Sequence, residues 1–107
     1  MEEKLLKIIN KFGINNQQRK LAEEVFELNE AIIKHEELYE IDCYSNDKYR
    51  EHIAEEIADV TIMLLQFKEY YHIDGNDISK IINEKIDRTI DRIEEGYYEN
   101  ERDNNNI

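Results

Sequence analysis

Apolar residues recur along this chain at the three- and four-residue spacing of helices, in long stretches separated by short polar turns. Leu5, Leu6, Ile8, Ile9 and Phe12 share a side of a first helix, predicted over Glu2 to Phe12 and stopped by Gly13. A second helix is predicted from Asn15 or Asn16, either of which can cap it, to near Glu40. Its expected core stripe is Leu21, Val25, Leu28 and Ile32. The segment IDCYSND lacks periodicity and carries turn formers, so it should be a flexible connection between antiparallel helices. The third helix, Lys48 to His72, is the most apolar, with a seam of Ile53, Ile57, Val60, Leu64, Phe67 and Tyr71. Ala58, Ile62, Met63 and Leu65 extend that surface almost all round, which predicts a central, buried helix. After a turn at DGND, Asn76 or Asp77 is positioned to cap a fourth helix bearing Ile78, Ile81, Ile82, Ile86, Ile90 and Ile93, which Gly96 ends. The pattern predicts one all-α domain over residues 1–96 and a polar, disordered tail over 97–107.

Composition agrees with the pattern: 107 residues suit one domain, and the chain has no proline and only three glycines. Charge narrows the partners. Acidic residues outnumber basic ones 26 to 14, a formal net charge of −12, so neither nucleic acid nor an anionic membrane is an expected partner. No stretch reaches the roughly 20 apolar residues needed to cross a bilayer. The single Cys43 and a start without a signal-like apolar run predict a cytoplasmic protein.

Two acidic clusters change the picture: Glu23, Glu24 and Glu27 in the second helix, and Glu55, Glu56 and Asp59 in the third. Glu24 with Glu27, and Glu56 with Asp59, lie three residues apart, about 60° around a helix and one turn along it, so each pair can reach one ion. Such spacing is common on solvated faces; the position of these acids relative to the apolar stripes is not. Glu56 falls among Ile53, Val60, Leu64 and Phe67, with Asp59 on the flank beside Met63; Glu24 adjoins the second helix's stripe at Leu28. An ionised carboxylate in apolar surroundings is costly unless a cation balances it. Antiparallel packing of the two helices would bring four carboxylates together, and oxygen-only ligation suits Mg²⁺, with Mn²⁺ as the alternative. On the fourth helix Lys85 falls within the isoleucine stripe, Arg92 lies two turns along it and Arg88 sits on its flank. They are candidates to bind phosphate, against the ordinary reading of snorkelling side chains.

The ordered motifs, Glu23-Glu24-Val25-Phe26-Glu27 and, after residues 28–55, Glu56-Ile57-Ala58-Asp59, resemble those of the MazG-like all-α nucleoside triphosphate pyrophosphohydrolases. FGINNQQRKLAEEVFELNEAI, EEIADVTIMLLQF and EKIDRTIDRIEEGYY extend the resemblance over nearly the whole chain except the tail. It implies a four-helix bundle completed by homo-oligomerisation, and a role for Gln17, seven residues before the ligand Glu24, in substrate binding. One departure is Thr89, where many relatives carry an asparagine four residues after the lysine.

The resemblance further implies Mg²⁺-dependent cleavage of a nucleoside triphosphate between its α- and β-phosphates, serving nucleotide-pool control. Glu24, Glu27, Glu56 and Asp59 would hold the metal, with Lys85, Arg88 and Arg92 on the phosphates. Glu23, about 40° from Glu27 on the helix, would orient the attacking water, or else is a solvated helix residue. A chain this short, with an amphipathic first helix, should form a homodimer or homotetramer. Tyr39, Tyr44 and Tyr49 near the long loop either stack on a base or cover the core. A di-iron carboxylate bundle would need two Glu-x-x-His motifs, and only Glu69-Tyr70-Tyr71-His72 has that spacing. The remaining alternative is a non-catalytic acidic helical protein that binds a partner or a nucleotide without turnover.

Overall fold

Each apolar run becomes a helix: α1 spans Glu2–Phe12, α2 Ile14–Asp42, α3 Asp47–Tyr70 and α4 Gly75–Glu94. The computed structural model describes the backbone of residues 1–42 and 47–96, and the side chains of 1–36 and 47–96. No strand occurs among the described residues, so the fold is all-α with four helices. Residues 43–46 of the predicted connection, Cys43 and Tyr44 among them, the side chain of Tyr39, and the predicted tail lie outside the described residues.

The helix ends are set by local hydrogen bonds that differ from those expected. Gly13 takes φ 88° and ψ 148°, a combination open essentially to glycine alone, and donates its N–H to Ile9 O at 2.8 Å. Asn16 does not cap the start of α2; its Nδ2 donates to Phe12 O at 2.8 Å and closes the end of α1. The two helices therefore abut with a single glycine between them. At the start of α4 the cap is Asp74 rather than Asn76 or Asp77, with its Oδ1 accepting from the Asn76 N–H at 2.8 Å. Gly96, at φ 75°, follows α4 and donates its N–H to Ile93 O.

The chain divides into two units, Met1–His72 and Ile73–Ile107. Within the first, α2 and α3 run antiparallel: Gln17 meets Gln66 at one end, Glu24 and Glu27 meet Glu56 in the middle, and the His35 and Tyr49 rings lie 6.1 Å apart towards the other end. Helix α1 packs on both and buries Leu5 and Ile9.

The line along which α2 and α3 meet is not the predicted apolar one. On α2 the buried residues are Gln17, Glu24 and Ala31, spaced seven apart, and on α3 they are Met63 and Gln66. Val25 (47% exposed), Ile32 (42%), Ile57 (50%) and Leu64 (53%) of the predicted seams face outward. Helix α3 is accordingly not buried all round. Three helices have too few faces to enclose two broad apolar surfaces, and the seam they share is fixed by Ala31, Met63, two amides and the acids. In the second unit α4 forms its predicted stripe, but none of its residues is buried; Ile81, Ile82, Ile86, Ile90 and Ile93 are all about half exposed.

Candidate metal centre

Helical spacing places Glu24 and Glu27 one turn apart on α2, and antiparallel packing sets Glu56 of α3 across from them. Each carboxylate offers an oxygen lying within 4.8 Å of those offered by the other two. Glu24 and Glu56 are held alike. Lys20 Nζ, one turn before Glu24, lies 3.2 Å from its Oε1; His52 Nε2, one turn before Glu56, lies 3.3 Å from its Oε1. The other oxygen of each, Oε2, is buried with no hydrogen-bond partner. Side-chain exposure is only 9% for Glu24 and 13% for Glu56, so water does little to solvate these oxygens.

Charge at the centre is unbalanced. Glu27's carboxyl is pushed above its ordinary range chiefly by the negative charge of Glu24, then by partial desolvation and by Glu56, while Lys20 opposes the rise weakly. Lys20's ammonium is in turn held protonated to higher pH by its hydrogen bond to Glu24 and by the charges of Glu24, Glu23 and Glu27. Three converging carboxylates, two with enclosed and unpaired oxygens, are a donor set that fits a hard divalent cation.

The other predicted site residues are less concentrated. Asp59 stands one turn beyond Glu56 on α3, exposed, and its carboxylate is not in the converging group. Glu23 is exposed on α2. Gln17 is buried, two turns before Glu24, and its Nε2 donates to Gln66 Oε1 at 2.8 Å. Lys85 and Arg88 are exposed on α4 and Arg92 is half-buried; all three belong to the second unit. The Thr89 hydroxyl donates to Lys85 O at 2.9 Å, so the side chain that replaces the expected asparagine is spent on its own helix.

Two partners escaped the reading of the sequence. Gln66 is 1% exposed, and the signal was available: it is the one amide in the apolar run VTIMLLQF, about 20° from Asp59 and two turns further on. Lys20 shares one strip of α2 with Gln17, Glu24, Glu27 and Ala31 by helical spacing, but a lysine one turn before a glutamate is ordinary on helix surfaces and carries no signal of its own.

A family model described as the MazG nucleotide pyrophosphohydrolase domain matches residues 12–94, and the chain belongs to that family. The match runs from the end of α1 through α4 and takes in every residue of the acid group. No curated protein and no solved structure matches the chain.

Proposed function

We propose that this chain is a Mg²⁺-dependent nucleoside triphosphate pyrophosphohydrolase, converting a ribo- or deoxyribonucleoside triphosphate to its monophosphate and pyrophosphate for nucleotide-pool control in the cytoplasm. The observation that carries this reading is the pair of buried, unpartnered oxygens, Glu24 Oε2 and Glu56 Oε2, on two of three converging carboxylates in a domain of this family. Two such oxygens are costly to enclose unless a cation completes them.

Glu24, Glu27 and Glu56 would hold the metal, with Asp59 added through a change of rotamer from its exposed position one turn away. When bound, Mg²⁺ would neutralise phosphate charge and polarise the phosphoryl group; Mn²⁺ meets the same oxygen donors. Glu23, exposed on α2 next in sequence to Glu24, would accept a hydrogen bond from the attacking water and take its proton as the oxygen adds to the α-phosphorus. The bond from that phosphorus to the α,β-bridging oxygen breaks, and the oxygen leaves with pyrophosphate. Lys85, Arg88 and Arg92 would stabilise charge on the phosphates. Gln17 contacts the substrate beyond the acids.

A second copy of the chain would cover the outward-facing Val25, Phe26 and Ile32 of α2, which line an open apolar hollow, and make a homodimer or homotetramer. The test of activity is pyrophosphate release from ribo- and deoxyribonucleoside triphosphates with Mg²⁺, with and without a chelator. Chelator-sensitive release is expected for at least one nucleotide. Absence of release from all of them by metal-loaded protein overturns the proposal and leaves a nucleotide- or partner-binding domain.

A further inference from the structure

Buried between α2 and α3, Gln17 and Gln66 form an amide pair that the handling of metal and phosphate does not use. Gln17 is 7% exposed and Gln66 1%, and Gln17 Nε2 donates to Gln66 Oε1 at 2.8 Å. The direction of that bond is set from behind. Gln66 Nε2 points at Met63 Sδ, 3.6 Å away, and a thioether sulfur accepts hydrogen bonds but cannot donate them. Turning the Gln66 amide over would set its oxygen against sulfur and lose the contact. Met63 thus fixes which end of Gln66 faces Gln17, and Gln66 in turn takes the nitrogen of Gln17. The Gln17 carbonyl oxygen then lies on the side of its amide away from Gln66.

Position gives the pair a role. Gln17 shares the buried line of α2 with Glu24, two turns apart, which is about 10 Å along the helix. That is comparable to the span between a nucleotide's outer phosphates and its nucleoside. A nucleotide whose phosphates sit at the acids and whose nucleoside lies along α2 towards the start of that helix would reach the amide pair. We propose that Gln66 is a positioning residue that locks Gln17 with its carbonyl towards the nucleoside, making this end of the site selective for nucleotides that present a hydrogen-bond donor there. The inference rests on the pyrophosphohydrolase reading and deepens it. The donor is either a sugar hydroxyl or a base N–H. A locked acceptor rejects a ligand lacking the donor, because the acceptor is then left desolvated and unpaired.

The test is binding rather than turnover. Calorimetry with Mn²⁺ present would measure the affinity of α,β-methylene analogues of the common deoxynucleoside triphosphates, each against its 2′,3′-dideoxy and its N-methylated-base counterpart. The wild-type chain is expected to prefer the parent analogue over one of the two counterparts by about tenfold or more. The dideoxy comparison identifies a sugar donor and the N-methyl comparison a base donor. Gln66→Met removes the acceptor for Gln17, and Met63→Leu keeps both amides and the core volume but removes the sulfur that orients them. Both should bring the preference close to one while leaving Mn²⁺ affinity in the absence of nucleotide unchanged. If Gln66→Met does not fold, Met63→Leu carries the test. Preference retained in the variants, or absent from a wild-type chain that binds the analogues, overturns this inference alone. Failure of the wild-type chain to bind any analogue overturns it together with the functional reading.

Discussion

Glu56 has one oxygen tied to His52 and the other enclosed and unpaired, an arrangement that costs stability when no cation is present. Glu56→Gln is therefore expected to lower pyrophosphate release about 100-fold or more, because charge stabilisation by a metal is worth several kcal/mol. The same variant should melt at the wild-type temperature or above it; a collapsed fold by circular dichroism would mark Glu56 as structural instead. Glu27 adds a dependence on pH. Its carboxyl is raised above the ordinary 4.5 by Glu24, so in metal-free protein its contribution to stability is fully present below that value and is lost as pH rises through the raised one. Mg²⁺ reverses the sense of the site by favouring ionised acids. The rise in melting temperature on adding saturating Mg²⁺ should accordingly be larger at pH 8 than at pH 4.5, and calorimetric scans at both values check it. The burial of Glu24 and Glu56 was legible in the sequence, from acids set in or beside apolar stripes. Helical spacing puts Lys20 and His52 each one turn before its acid on the same side, which allows these contacts without requiring them; for His52 the sequence left a partner of Glu56 and a plain surface histidine both open.

Helices α1 and α4 show how far periodicity carries at the scale of the element. The predicted span of α1, Glu2–Phe12, is the observed one, because an amphipathic run ended by a glycine leaves few alternatives. Helix starts were less legible: Asn15, Asn16, Asp74, Asn76 and Asp77 all have side chains able to cap, and the path of the chain chooses among them. Gly13 provides the test at this scale. No heavy atom lies within 4 Å of where its Cβ would stand, so Gly13→Ala should be resisted by backbone conformation alone, at about 1–3 kcal/mol. A urea denaturation midpoint unchanged by the substitution would show that α1 and α2 can join in another way.

At the scale of the whole molecule, outward-facing Val25, Phe26, Ile32, Ile57 and Leu64 in the first unit and the uncovered isoleucines of α4 in the second set a clear expectation. A chain with so much unburied apolar surface should self-associate, and light scattering at micromolar concentration should return a dimer or tetramer. A monomer there would mean that the apolar surfaces are not an interface between copies. By itself the sequence determined four helices, an all-α class, the ordered acid motifs and, through them, the family, because helix formation and motif spacing are encoded within a few turns of chain. Only the tertiary structure decided which face of α2 meets α3. Periodicity ranks faces by hydrophobicity, whereas the observed seam buries Gln17, Glu24, Ala31, Met63 and Gln66, whose match depends on side chains some thirty to fifty positions apart in sequence. That choice drew Glu24, Glu27 and Glu56 together, left Asp59 outside, and turned the more apolar faces outward.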